Sequence, residues 1–196
     1  MTLPTLSRRH ALLCLAGMAA GVPSLAAAEL PGNSVYQLAT PLTDQQGQAF
    51  VLPSLRGQPV LVSMFYSSCE MVCPMIFETI AQTMKALPAA ERERVHGVMI
   101  SFDPARDTTE VLKQTALAHG CDARWTLARG DEVGVRKIAA LLGVQYRRLA
   151  SGEFNHSSTI ELLDTDGRIA ARSGKLGAVD PALVKAMRQA LAARSS

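Results

Sequence analysis

Val60-Leu61-Val62-Ser63-Met64-Phe65-Tyr66-Ser67-Ser68-Cys69-Glu70-Met71-Val72-Cys73-Pro74 is the stretch on which the reading of this chain turns. Its first half is almost wholly apolar, as in a strand covered on both faces. Gly57 and Pro59 interrupt regular structure just before it. Beyond Pro74, Ile76, Ile80, Met84 and Leu87 recur at helical spacing until Pro88, which predicts a helix over 75–87. Two thiols are therefore delivered to a strand-to-helix turn, four positions apart. On a helical turn that spacing puts both sulfurs on one face. They can close a disulfide or jointly hold a soft metal ion. A helix N-terminus favours thiolate, the form that binds metal and attacks disulfides.

Outward from this core, the pattern alternates strand and helix. Segments 35–38 and 49–52 flank the turn Asp44-Gln45-Gln46-Gly47 and predict a hairpin. A second buried strand is expected over 95–102 and a helix over 109–119, ended by Gly120. A short strand over 125–127 precedes a helix over 131–142, ended by Gly143. Residues 144–149 read as an edge strand. Residues 159–163 and 168–172 flank Asp164-Thr165-Asp166-Gly167 as a closing hairpin, and Asp180-Pro181 starts a last helix to about 193. This order implies an α/β fold, a central mixed sheet flanked by helices, in one domain over 29–196.

The N-terminus is a different kind of segment. Arg8-Arg9 precede an apolar stretch and then Ala26-Ala27-Ala28, the pattern of an export signal over 1–28. The paired arginines also fit a twin-arginine signal. The alternative is an uncleaved membrane anchor, for which the apolar stretch is just long enough. Either way the domain would lie in the periplasm, free or held at the inner membrane. Cys14 follows Leu13 rather than a small residue, which argues against a lipoprotein anchor.

The chain carries 20 basic and 17 acidic residues, net +3; without Arg8 and Arg9 the remainder is 18 against 17, net +1. Such a domain has no electrostatic case for nucleic acid. Cys69, Cys73 and Cys121 remain, one close pair and one odd thiol, which is not a disulfide scaffold.

A second informative segment runs Glu153-Phe154-Asn155-His156-Ser157-Ser158-Thr159. His156 is expected in the loop entering a buried strand, where loops at the ends of parallel strands converge. The dithiol turn and the His156 loop are thus candidates to meet at one site, with metal binding and redox chemistry both open.

The chain resembles the Sco/SenC family of copper-handling, thioredoxin-like proteins. The resemblance rests on Ser68-Cys69-Glu70-Met71-Val72-Cys73-Pro74, on Ser101-Phe102-Asp103-Pro104-Ala105-Arg106-Asp107-Thr108, and on His156-Ser157-Ser158, in that order, and runs from about Val35 to the last helix. It implies a thioredoxin-like fold in which Cys69, Cys73 and His156 bind one copper ion. The chemistry of that implied set agrees: two thiolates and an imidazole suit Cu(I) in a low-coordinate site, while structural zinc would call for a fourth ligand and none is evident. Cu(II) tends to oxidise paired thiolates, so the thiol redox state would gate loading. It further implies a metallochaperone, a carrier rather than a turnover enzyme. Its partner would be the copper-receiving subunit of a respiratory cytochrome oxidase or another cuproenzyme, with other periplasmic copper chaperones or thiol reductases as further partners.

Cys69 and Cys73 are equally a candidate redox-active pair. The alternative function is a thiol-disulfide oxidoreductase that keeps client copper-site cysteines reduced; a redox sensor is a third. Against general disulfide exchange, membrane-tethered thioredoxin-like reductases space their cysteines by two residues and carry a proline where this chain has Ser158. A peroxidase reading lacks the expected Thr-x-x-Cys pattern. Met64, Met84 and Met99 fall on core positions, while Met71 between the cysteines stays open as a ligand or a flanking side chain. Asp103, Arg106 and Asp107 are expected in a turn and helix cap, or as support for the copper loop. Trp125 is expected in the core, Cys121 as a partly buried thiol, and His119 at a helix C-terminus that would favour its charged form.

Overall fold

The computed structural model describes residues 29–193, so the export or anchor segment expected at 1–28 lies outside the described residues. The strands are β1 (Leu42–Asp44), β2 (Ala49–Phe50), β3 (Val60–Phe65), β4 (His96–Ser101), β5 (Trp125–Gly130), β6 (Tyr146–Arg148), β7 (Phe154–His156), β8 (Ile160–Leu163) and β9 (Ile169–Ser173). The helices are α1 (Val72–Lys85), α2 (Ala89–Arg92), α3 (Thr109–Ala118), α4 (Glu132–Leu142) and α5 (Pro181–Ala192).

All six residues of β3 are buried, which is why their sequence shows no alternation. β3 lies parallel to β4 and antiparallel to β8, and β4 lies parallel to β5. The main sheet runs β2-β1-β5-β4-β3-β8-β9, a mixed sheet as expected. Ile76, Phe77, Ile80 and Met84 form the buried stripe of α1. At about 1.5–3 kcal/mol per fully buried large apolar side chain, this stripe fixes the helix that follows the thiols. Met64, Met99 and Trp125 also join the core. A buried carboxylate on β8, Glu161, is matched by Arg172 on β9 at 2.9 Å.

The caps follow ordinary chemistry. Asp131 accepts from the Gly134 N–H, Gly143 ends α4 at φ 71°, and Asp180-Pro181 opens α5.

Several boundaries differ from expectation. The first hairpin pairs Leu42–Asp44 with Ala49–Phe50. Residues 35–37 instead form a 3-10 turn, because Ser34 caps it and the Val35 N–H is taken by the Gly167 carbonyl. Helix α1 starts at Val72, so Cys73 and Pro74 sit inside its first turn, where proline costs no hydrogen bond. Thr108, not Asp107, caps α3. The strand expected over 144–149 shortens to β6 and pairs with β7, not with the main sheet. His156 is thus the last residue of a strand, paired opposite Tyr146, rather than a residue of the loop into β8. Among the described residues no helix is long and apolar enough to cross a membrane.

Candidate metal centre

Strand β3 ends at Phe65, and the chain turns through residues 66–71 before α1. The turn is drawn together by Cys69 N–H donating to the Tyr66 carbonyl at 3.2 Å and Cys73 N–H donating to Cys69 Sγ at 3.4 Å. Its start is tied down by Asp107, which is 1% exposed and accepts from the Ser67 backbone N–H at 3.1 Å, from the Ser67 hydroxyl and from the Ser101 hydroxyl. The expected helix-cap residue therefore braces the thiol loop against the end of β4. Ser63, buried mid-strand, donates to the Thr159 carbonyl at 2.6 Å and ties β3 to the segment that follows His156.

The two thiols are unbridged and differ in setting. Cys69 is half-buried; Cys73 is 2% exposed. Burial works against ionising Cys69, but hydrogen bonds from the Cys73 backbone N–H and thiol, and from the Met71 and Val72 N–H groups, outweigh it. Its thiol therefore titrates below the ordinary range. In Cys73 burial dominates, and with the nearby Cys69 it holds the thiol well above that range. The two thiols are shifted in opposite directions, and Cys69 is the more readily ionised.

His156 arrives from the β6–β7 hairpin. Its ring packs 5.0 Å from Phe102 and meets Tyr66 edge-on at 5.9 Å, centroid to centroid. Nδ1 lies 2.9 Å from the Ser157 carbonyl. A carbonyl only accepts, so Nδ1 carries the proton and Nε2 is left with a free lone pair. This is the tautomer a metal ligand needs, fixed by its other nitrogen.

Cys69, Cys73 and His156 converge: their ligand atoms all lie within 4.8 Å of one another. A cleft of about 500 Å³, lined among others by Tyr66, Cys69, Met71, Glu153 and His156, opens onto them. Met71 is 77% exposed, so it flanks the mouth and takes no part in the core. Of the other expected residues, Cys121 is half-buried, its thiol pushed up to about 12 by burial and the neighbouring Asp122. His119 stacks flat on Phe77 at 4.1 Å. Burial lowers its pKa, so the helix end does not hold it charged as expected.

Sequence reasoning passed over Tyr66 and Glu153. Tyr66 donates to Glu153 Oε2 at 2.7 Å and touches both the cysteine loop and the His156 hairpin. A hydroxyl at the end of a buried strand, next to a dithiol loop, was the available signal for Tyr66. Glu153 gave none, because its partner is distant in sequence.

A mixed sheet flanked by helices, with a dithiol at a strand-to-helix junction and an imidazole brought over it from a separate hairpin, defines a thioredoxin-like protein with three grouped ligand atoms. The SCO1/SenC family model matches residues 32–191, and the chain belongs to that family. A protein of Stutzerimonas stutzeri whose name proposes copper binding is 28% identical over 132 residues, 65% of this chain and 64% of its own. The matched part thus spans slightly less than two thirds of that curated relative. The copper-bound structure of ScoI from Bradyrhizobium japonicum is 26% identical with a TM-score of 0.62, covering 80% of this chain and 95% of its own. BsSco, described as having a disulfide switch and as a member of the Sco family of cytochrome c oxidase assembly proteins, shares the fold at 22% identity and a TM-score of 0.65. There the match covers 77% of this chain and 90% of that one.

Proposed function

We propose that this protein is a periplasmic copper metallochaperone that holds one Cu(I) between Cys69, Cys73 and His156 and passes it to a client. The observation that carries this reading is the convergence of three ligand atoms within 4.8 Å, Cys69 on the turn after β3, Cys73 in the first turn of α1 and His156 on the hairpin. Cys69 offers the more readily ionised thiol and His156 a free Nε2. Cys73 gives up its proton as the ion binds, so loading releases a proton and strengthens as pH rises. The half-exposed Cys69 and the open cleft give a client thiol a route to exchange ligands one at a time. The copper-bound relative and the assembly role ascribed to BsSco support a cuproenzyme client, the copper-receiving subunit of a cytochrome oxidase foremost. Residues 1–28 would export the domain or anchor it.

One observation favours a second reading, the reduction of client disulfides. Cys69 is accessible with a lowered pKa while Cys73 is buried with a raised one, the asymmetry of an attacking and a resolving thiol. Cys69 thiolate would attack a client disulfide and release one client thiolate. Cys73 would then displace the second, leaving a Cys69–Cys73 disulfide and a client reduced by two electrons.

The test is an anaerobic Cu(I) titration of the reduced protein against a competing chelator, with His156→Ala and Cys73→Ser alongside. One tightly held copper, weakened by both substitutions, is expected. Binding that ignores both, with turnover of a disulfide client in the absence of copper, would replace the chaperone with the oxidoreductase.

A further inference from the structure

The β6–β7 hairpin carries one of the three candidate ligands yet shares no strand pairing with the main sheet. Its own backbone bonds turn inward: Leu149 N–H donates to the Glu153 carbonyl at 2.7 Å and Ser157 N–H to the Gln145 carbonyl at 2.8 Å. Side chains must therefore set where the hairpin sits. Among the described residues, two hydrogen bonds reach it from the body of the protein. Arg106 Nη2 donates to the Gly152 carbonyl at 2.7 Å, at the hairpin tip. Tyr66 Oη donates to Glu153 Oε2 at 2.7 Å, three residues before His156.

The Tyr66 bond has the better leverage. Tyr66 directly follows β3 and opens the thiol turn, and its own carbonyl accepts from the Cys69 N–H. Its ring packs 5.1 Å from Phe154 and 5.9 Å from His156. A single residue thus contacts both halves of the site, the thiol turn through its backbone carbonyl and the hairpin through its side chain. Hydroxyl-to-carboxylate bonds are among the stronger ones, and this hydroxyl is set in a mostly buried ring. Aromatic packing alone would hold the hairpin against the body without choosing its height. The bond to Glu153 adds a fixed point close to the ligand.

Building on the copper reading, we infer that Tyr66 is a positioning residue: its hydroxyl, through Glu153, clamps the hairpin so that His156 Nε2 stays within reach of both thiols. The clamp acts through His156 and does not itself touch the ion.

Two measurements on the full chain test it, and the first needs no copper. In the reduced, metal-free protein, amide exchange at Leu149 and Ser157 should speed up about tenfold in Tyr66→Phe, as one lost hydrogen bond of this type would give. Exchange in β3 and β4 should not change. Glu153→Ala, at an exposed position with little part in folding, should do the same. Unchanged hairpin exchange in both variants overturns the clamp, whatever copper does.

The second measurement is a Cu(I) titration of wild type, Tyr66→Phe, His156→Ala and the double variant. Tyr66→Phe should bind about tenfold more weakly, with a weaker nitrogen signal in the copper absorption fine structure, and should cost nothing further once His156 is gone. An equal loss in both backgrounds would place the effect on the thiols and overturn the assignment. If wild type and His156→Ala bind alike, the three-ligand reading fails, and the exchange result then decides the clamp on its own.

Discussion

The cysteine loop and the His156 hairpin bring ligands to one point by unlike means. The loop grows out of β3, whose six residues are all buried and paired on both edges, and Asp107 braces it from β4. The hairpin pairs only with itself and is docked through aromatic rings and two polar bonds. One half of the site is therefore as rigid as the core, while the other moves at lower cost. A carrier benefits from that division. Under the copper reading proposed above, rigid thiols would keep the ion on the protein, and a softer third ligand would let it be handed on. In both halves, element stability is set by how many buried backbone bonds cross to neighbours.

The largest effect that would sharpen this contrast comes from the rigid half. Cys73→Ser should weaken Cu(I) binding beyond a hundredfold, more than the 10–100-fold typical of losing a supporting residue, and should abolish the Cys69–Cys73 disulfide. A chelator titration and a thiol count check both. Asp107→Ala should come next. It leaves three donors without an acceptor at a buried position and should cost about 2–3 kcal/mol of global stability in urea unfolding.

Arg106→Ala cuts the tip bond of the hairpin and also removes the guanidinium paired with the buried Asp103 carboxylate. Because Arg106 itself lies partly in solvent, the loss of global stability should stay at about 1 kcal/mol, below that of Asp107→Ala. Its effect on amide exchange should centre on the hairpin and on the Asp103 turn. If Asp107→Ala and Arg106→Ala proved equally destabilising, the distinction between the two halves would be lost.

The thiols should separate as well. Cys69 should alkylate faster than Cys73 at neutral pH, with its rate reaching half-maximum below the pH of an ordinary thiol, as mass spectrometry after timed alkylation would show. The smallest effect concerns His119, away from the site. Burial depresses its folded pKa below the ordinary histidine value of 6.5. The unfolded chain then binds more protons below pH 6.5, so stability should fall as pH drops through that value and be unaffected above it. His96 shares this direction, again through burial, so His119→Phe should reduce the acid-side slope without removing it.

Much of the fold was legible because its signals are local. The apolar run 60–66, the helical spacing after Pro74 and the turn glycines placed the central strands and helices to within a few residues. The sites of failure are those decided at a distance. Residues 35–37 have apolar side chains that suit a strand, but Ser34 and the Gly167 carbonyl take their backbone into a 3-10 turn. Residue 156 has no neighbour in sequence that announces β7, since its partner is Tyr146 across a turn.

The site shows the same division. The dithiol could be read from spacing alone. Its meeting with His156 was suggested by topology and by the family resemblance, and the fold brings the three together. Tyr66 and Glu153 were missed because their bond joins residues 87 positions apart. For Asp107 the residue type leaves a turn or cap and support for the cysteine loop both open, and its three hydrogen-bond donors, from Ser67 and Ser101, place it with the loop.

The most direct measurement is X-ray absorption at the copper edge of the Cu(I)-loaded, reduced protein, repeated on His156→Ala. The account predicts two sulfurs and one nitrogen around the metal in the wild-type protein, with the nitrogen lost in the variant. A shell of sulfur alone in the wild type, identical in both proteins, would contradict it.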